Sequence, residues 1–121
     1  MHATKMLEAK GINYEIDIPA TLLSLKFPLA SRRRLFLIYK ESINNVLRHA
    51  GATRVGLTLR REGRLLVMSI VDNGKGFDPG GGSRGNGLHN MQARARSIGG
   101  DLSIISAPGV GTTVTLRVGI P

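Results

Sequence analysis

Apolar and polar residues alternate along the chain with two different periods. In residues 12–18 they alternate one by one, which predicts a half-buried strand that Pro19 ends. In residues 35–50 the apolar positions recur with the helical period, and we expect Ser31 to cap this helix and Gly51 to end it. The predicted apolar stripe of the helix consists of Tyr39, Ile43, Val46 and Ala50, flanked by Phe36 and Leu47.

The other periodic segments complete a prediction of the fold. They are a helix that ends before Gly11, strands at 55–59 and 65–71 joined by a Glu62-Gly63 turn, a helix at 88–98, and strands at 102–106 and 112–118. Residues 72–87 hold seven of the sixteen glycines and little that is apolar, so we expect a mobile loop there. The order of elements predicts an α+β fold, a two-layer α/β sandwich with helices on one face of a mixed, mostly antiparallel sheet.

Composition supports a single globular domain. The chain has 121 residues, of which 41% are hydrophobic, so it is long enough to bury a core. It contains no apolar run of membrane-spanning length and no secretory pattern. The absence of cysteine excludes disulfides, thiolate nucleophiles and cysteine-based zinc sites.

The net charge of +9 indicates anionic partners. Nucleic acid is disfavoured, because only 4% of the residues are aromatic and no stacking platform is evident. The cluster Arg32–Arg34 is either a phosphate patch or the solvated start of the long helix, and we favour the solvated helix start. A nucleotide polyphosphate or an acidic partner protein would explain the charge equally well.

One face of the long predicted helix carries an unusual set of polar groups. Glu41, Asn44, Asn45 and Arg48 fall on one side, with His49 at the edge. Glu41 and Asn45 are four residues apart, so their side chains meet. Carboxylate and carboxamide oxygens suit Mg²⁺, and a guanidinium suits phosphate. The alternative is an ordinary solvated helix face.

Three glycine-bearing segments border predicted elements: residues 72–77 follow a strand, residues 85–88 open a helix and residues 109–113 open the last strand. Neither a Walker A loop nor the dinucleotide-binding fingerprint fits them. Glycines at a helix N-terminus still expose backbone N–H groups to an anion. The alternative is that the glycines only make turns, which we favour for residues 109–111.

Asp72 stands at the end of a predicted buried strand, beside glycines that allow close approach. Its carboxylate can accept a hydrogen bond from an exocyclic amine such as N6 of adenine. Guanine presents an oxygen at that position and would be repelled, so one aspartate can choose the base. The alternative is a turn-forming Asp-Asn-Gly sequence.

Taken together, four segments resemble the sequence boxes of the GHKL ATPase superfamily, which includes histidine kinases, DNA gyrase B and the anti-sigma-factor serine kinases. The matching motifs, in this order, are Glu41-x-x-x-Asn45, Asp72-x-Gly74-x-Gly76, Gly85-x-Gly87-Leu88 and Gly111-Thr112. The amino-acid sequences of residues 41–50, 85–91 and 99–103 are most similar to those of nitrate-sensor and DesK-like histidine kinases. The resemblance covers residues 12–120 and implies the ATP-binding fold of that superfamily.

The resemblance implies a role for each box. Asn45 would ligate Mg²⁺, and Glu41 would orient or activate the group that attacks the γ-phosphate of ATP. Asp72 would bind adenine N6 directly and through a water shared with Thr112. Residues 79–86 would form a lid over ATP. The other implied contacts are Gly74, Gly76 and Phe77 near the base, and Arg48, His49, Arg84, Gly85, Gly87 and Leu88 near the phosphates.

The resemblance therefore implies the catalytic domain of a two-component sensor histidine kinase, which passes the γ-phosphate of Mg²⁺·ATP to a histidine on a separate domain. Residues 12–121 would form this domain, and residues 1–11 would be the remnant of a connection to the dimerisation and phosphoacceptor domain. His2, His49 and His89 lack the setting of an acceptor. The implied partners are that domain and a response regulator, with no nucleic acid or membrane contact. We expect a cytoplasmic monomer.

Two rival functions stay open. An anti-sigma-factor serine kinase of the same superfamily fits the length, but Arg48-His49 and residues 99–103 favour a histidine kinase. A non-catalytic adenine-nucleotide-binding module would have kept the fold and lost the chemistry. The presence of Glu41, Asn45 and Asp72 argues against that module.

Overall fold

The structure is a computed structural model, and it describes residues 2–19, 28–47, 51–76 and 87–120. Over these ranges the helices are α1 (His2–Ala9), α2 (Leu29–Asn45) and α3 (Gly87–Ser97), and the strands are β1 (Asn13–Asp17), β2 (Arg54–Glu62), β3 (Leu65–Asp72), β4 (Asp101–Ala107) and β5 (Gly111–Gly119). No helix in these ranges is both long enough and apolar enough to cross a membrane. Residues 77–86, the greater part of the predicted mobile loop, lie outside the described residues.

The five strands form one sheet in the order β1-β2-β3-β5-β4. β1 runs parallel to β2, and the other described pairs are antiparallel. The two predicted hairpins, β2–β3 and β4–β5, are confirmed. Glu62 pairs with Leu65, so the first turn is Gly63-Arg64, one residue later than predicted. Gly63 suits this turn because its φ of 61° is left-handed, which glycine adopts readily.

One apolar cluster lies between the helices and one face of the sheet. The strands contribute alternate residues, such as Leu57, Ile70 and Leu116, because residues two apart share a face. The helices contribute Leu7, Ile38, Ile43, Val46, Met91 and Ala95. Full burial of such a side chain stabilises the fold by about 1.5–3 kcal/mol, so this cluster is a main source of stability. The predicted α+β two-layer architecture is confirmed.

The start of α2 differs from the prediction. The helix begins at Leu29, directly after Pro28, and Ser31 lies within its first turn instead of capping it. Among the described residues no side-chain hydrogen bond caps this end, and the Arg32 N–H donates to the Pro28 carbonyl at 3.0 Å. Proline lacks the N–H that a helix start would leave unsatisfied, so the helix can begin here without a serine cap.

The buried face of α2 also differs from the predicted stripe. Ile38, Ser42, Ile43 and Val46 are buried, Tyr39 is half-buried, and Phe36 is 52% exposed. The face therefore centres closer to Ile38 than predicted. A serine can lie inside it because the Ser42 hydroxyl donates to the Ile38 carbonyl at 2.9 Å, which satisfies its polar group.

The predicted glycine end of α3 is confirmed, whereas the predicted end of the long helix at Gly51 follows residues outside the described part of the chain. The α-helical part of α2 ends at Asn45, and Val46 and Leu47 continue it as a π-helical turn. Gly51 has a φ of 59°, but residues 48–50 lie outside the described residues. After α3, the Gly100 N–H donates to the Ala95 carbonyl at 2.8 Å, and Gly99 has a φ of 71°. These are the features of a glycine-ended helix, as predicted.

Candidate functional site

Asp72 is the last residue of β3 and is 8% exposed. Its side chain lies on the helix-facing side of the sheet, since Ile70, two residues earlier, belongs to the core. The Gly74 N–H donates to Asp72 Oδ1 at 2.9 Å, which confirms the turn-forming interpretation for that oxygen. A carboxylate has about four acceptor positions, so this bond fixes its orientation and is compatible with further donors.

Asn73 anchors the segment that carries Asp72. Its Oδ1 accepts the N–H groups of Thr53 at 3.0 Å and Arg54 at 2.9 Å, and its Nδ2 donates to Thr53 Oγ1 at 2.9 Å. These bonds tie the end of β3 to the start of β2. The Asp-Asn-Gly sequence predicts only a turn at Asn73, so this role was not predicted. The missed indication was an amide side chain directly after a strand, where backbone donors of a neighbouring strand end are within reach.

The glycine segments 72–76 and 107–111 pack against each other. Gly76 has a φ of 64°, and a Cβ there would overlap the Ala107 carbonyl oxygen. Gly111 has a φ of 121°, and a Cβ there would overlap the Asp72 carbonyl oxygen. The Gly109 N–H donates to the Lys75 carbonyl at 2.6 Å. The turn interpretation of residues 109–111 therefore holds for Gly109, but Gly111 also allows β5 to approach Asp72 closely.

A row of polar residues crosses the helix-facing side of the sheet at this end. Asp72 pairs with Thr112, and Thr112 pairs with Ser106. Partners in an antiparallel ladder have Cα atoms about 4.5–5.5 Å apart, so the predicted residues Asp72 and Thr112 are neighbours. Ser106 was missed. The alternation of β4 and β5 around their turn could have identified it as the residue opposite Thr112.

Glu41 and Asn45 belong to the helix layer. Both are half-buried and stand one turn apart on α2, at the border of its buried face. Ser42, beside Glu41, is 2% exposed, and its Oγ lies 3.4 Å from Met91 Sδ. This contact packs the turn of α2 that carries Glu41 against α3. Gly87 and Leu88 form the first turn of α3, where backbone N–H groups are available to an anion.

The remaining predicted site residues lie outside the described part of the chain. They are Arg48, His49, Phe77, Arg84 and Gly85, together with the predicted lid at 79–86. The described part thus supplies one end of the sheet, with Asp72, Gly74, Gly76 and Thr112, and one helix turn, with Glu41 and Asn45.

Comparison with known proteins identifies the family. Residues 30–121 match the family of histidine kinase-, DNA gyrase B-, and HSP90-like ATPases. The chain belongs to this ATPase family. Its fold is therefore that of a histidine kinase-like ATPase domain, as the sequence motifs indicated.

Several curated relatives of this ATPase domain are sensor kinases. Sensor protein VraS of Staphylococcus saprophyticus is 38% identical over 93 residues, which cover 76% of this chain and 27% of that protein. Signal transduction histidine-protein kinase/phosphatase UhpB of Salmonella typhimurium is 35% identical over 91% of this chain and 22% of its own length. Sensor histidine kinase LiaS of Bacillus subtilis is 32% identical over 97% of this chain and 33% of its own length. The chain spans a third or less of each.

Solved structures give the same fold. The histidine kinase domain of the Erythrobacter litoralis EL346 blue-light activated histidine kinase superposes with a TM-score of 0.79 at 18% identity, covering 98% of this chain and 57% of that one. Acinetobacter baumannii histidine kinase AdeS gives a TM-score of 0.72 at 15% identity, covering 98% of this chain and 59% of that one. Together with the curated relatives, this likeness supports a histidine kinase ATPase domain over the serine-kinase and non-catalytic alternatives.

Proposed function

We propose that this domain binds Mg²⁺·ATP and transfers its γ-phosphate to a histidine on another domain of a sensor histidine kinase. The observation that carries the proposal is the buried carboxylate of Asp72, held at the end of β3 beside Thr112 in an ATPase family member. The Gly74 N–H orients this carboxylate, so a donor on a nucleotide would meet it in a fixed position.

The adenine end of the proposed site is formed by the sheet. Asp72 would accept a hydrogen bond from adenine N6, and Thr112 would share a bridging water. Gly74 and Gly76 would leave room for the base, with Phe77 nearby. Guanine places an oxygen where adenine has its amine, so two acceptors would face each other and GTP would be rejected.

The phosphate end of the proposed site is formed by the helices. Mg²⁺ binds few protein ligands and keeps several waters, so the amide oxygen of Asn45 with the neighbouring carboxylate of Glu41 suits it. Within the described residues no cluster of three acidic or histidine side chains offers a richer metal site. When bound, Mg²⁺ would offset phosphate charge. Contacts to the phosphates would come from Arg48, His49, Arg84, Gly85, Gly87 and Leu88, aided by the dipole of α3.

Phosphoryl transfer depends mainly on positioning and charge neutralisation. Glu41 would orient or activate the attacking histidine of a dimerisation and phosphoacceptor domain, and a response regulator would take the phosphoryl group next. Residues 12–121 would be the catalytic domain in the cytoplasm, with residues 1–11 leading to the acceptor domain. Leu7 packs into the core and Tyr14 donates to Glu8 at 2.6 Å, so that connection would start within the folded domain.

Calorimetric titration of ATP into the purified domain, with and without Mg²⁺, tests the proposal. We expect micromolar-range binding of ATP, no binding of GTP, and an affinity at least about tenfold lower for Asp72→Asn, because hydrogen bonds to charged groups contribute about 1.5–3 kcal/mol. Exposed Asp17→Asn on β1 is the matched control. Failure of the wild-type domain to bind ATP, or equal binding by Asp72→Asn, would overturn the adenine site.

A further inference from the structure

The polar row at the end of the sheet contains a pair of hydroxyl groups with a fixed direction of donation. Ser106 Oγ lies 3.1 Å from the Gly111 carbonyl oxygen and 2.8 Å from Thr112 Oγ1. A carbonyl oxygen can only accept, so the first contact requires Ser106 to donate its hydroxyl proton. A hydroxyl has a single proton, so the second contact is then a hydrogen bond only if Thr112 donates to Ser106.

This direction leaves the Thr112 hydroxyl with lone pairs to offer. Its own proton is directed at Ser106 on β4, whereas Asp72 lies on the opposite neighbour, β3. An ionised carboxylate is also an acceptor only. Asp72 and Thr112 therefore present two acceptors side by side on adjacent strands. Such a pair fits an amino group, or a water that donates to both, and it repels a carbonyl oxygen.

We infer that Ser106 determines base specificity by holding the Thr112 hydroxyl as an acceptor beside Asp72. Ser106 acts through Thr112 and is therefore a positioning residue. The inference rests on the proposed ATP site. It adds that rejection of a 6-oxo purine depends on two acceptors, and that the Thr112 hydroxyl is one of them because it donates its own hydrogen bond to Ser106.

The backbone partner of Ser106 makes this arrangement robust. Gly111 is the residue whose missing Cβ lets β5 approach the Asp72 carbonyl, so its own carbonyl is fixed in place by the same packing. The Ser106 proton thus has a rigid acceptor, and the orientation of both hydroxyl groups follows from the backbone of the β4–β5 hairpin.

The test compares the affinities of ATP and inosine triphosphate, which differ at C6 and in the proton on N1. Removal of the Ser106 hydroxyl frees the Thr112 proton to turn toward the bridging water, which can then donate to the 6-oxo group. In Ser106→Ala we expect the ratio of the ITP to the ATP dissociation constant to fall about five- to tenfold, the effect of one neutral hydrogen bond. Ser103→Ala is the matched control, because Ser103 lies on the same strand but on the other face.

Two further variants keep the test decisive if Ser106→Ala is poorly folded. Ser106→Thr keeps the hydroxyl and should keep the wild-type ratio. In a Thr112→Val background, Ser106→Ala should have no further effect on the ratio, because residue 112 then has no hydroxyl for Ser106 to orient. An equal loss of affinity for both nucleotides in Ser106→Ala, or an unchanged ratio, would overturn the inference and leave the ATP site standing. No ATP binding by the wild-type domain would overturn both.

Discussion

Gly111 lies so close to Asp72 that a Cβ on the glycine would overlap the aspartate carbonyl oxygen. Gly111 also has a φ of 121°, a conformation that other residues rarely adopt. The close approach of β5 to the end of β3, and with it the position of the carboxylate proposed to bind adenine, therefore depends on the missing side chain at residue 111.

Gly111→Ala should destabilise the domain by about 2–4 kcal/mol, since overlap with a backbone atom and a strained φ add together. Gly119→Ala, at the other end of β5, is the control, because nothing lies near its Cβ position. It should change the unfolding free energy by less than about 0.5 kcal/mol. Urea unfolding measures both variants, and equal midpoints would contradict the close packing described.

Asn73→Ala should destabilise the domain by about 0.5–1.5 kcal/mol, because it removes the acceptor of the Thr53 and Arg54 N–H groups at an exposed site, where water can take its place. The same change should weaken ATP binding, since it loosens the segment that carries Asp72. Asn13→Ala, an exposed position at the start of neighbouring β1, serves as control. Denaturant unfolding and ATP titration on both variants check the prediction; wild-type stability in Asn73→Ala would refute it.

Glu41→Gln should separate binding from transfer. The isosteric change keeps the helix and should leave ATP affinity within about threefold of wild type, whereas phosphotransfer to an added acceptor domain should fall about 100-fold or more, the usual effect of losing a general base. Glu15→Gln on β1 is exposed and provides the control. Transfer of radiolabelled phosphate is the measurement, and an unchanged transfer rate would remove Glu41 from the catalytic role.

Chelation of Mg²⁺ should weaken ATP binding about tenfold in the wild-type domain, and Asn45→Ala should abolish that dependence on the metal. Asn44→Ala is a close control, because Asn44 is the adjacent, equally half-buried amide on α2. ATP titrations in magnesium and in EDTA compare the three proteins. A full magnesium effect in Asn45→Ala would mean that another residue holds the metal.

The sequence pattern predicted the strands well because alternation is a local property. The periods of apolar residues and the positions of glycines predicted both hairpins and the helix α3, with bounds that agree with the structure within a few residues. The predicted N-cap of α2, Ser31, was wrong by three residues, because Pro28 can begin a helix without the serine cap that the pattern favoured. The buried face of α2 is rotated relative to the predicted stripe. Ser42 can lie in this face in place of an apolar residue because its hydroxyl donates a hydrogen bond to the Ile38 carbonyl.

The supporting residues of the site were harder to predict. Asp72, Glu41 and Asn45 were singled out from their local settings, whereas Thr112 was named only because of the family resemblance. Asn73 bonds to Thr53 and Arg54, which are 20 and 19 residues away in the sequence, so no local pattern shows the contact. Ser106 acquires its partner only through strand register, and a single misplaced residue in the turn would point it to the other face.

The parallel pairing of β1 with β2 places the two ends of the proposed site on different layers of the domain. Asn13 pairs with Arg54, and α2 is the crossover that connects the two strands. Glu41 and Asn45 lie on this crossover helix. Asp72 and Thr112 lie on β3 and β5, the antiparallel pair that joins the two hairpins. A substitution on α2 can therefore alter the phosphate and metal end of the site while the sheet keeps the geometry of the adenine end.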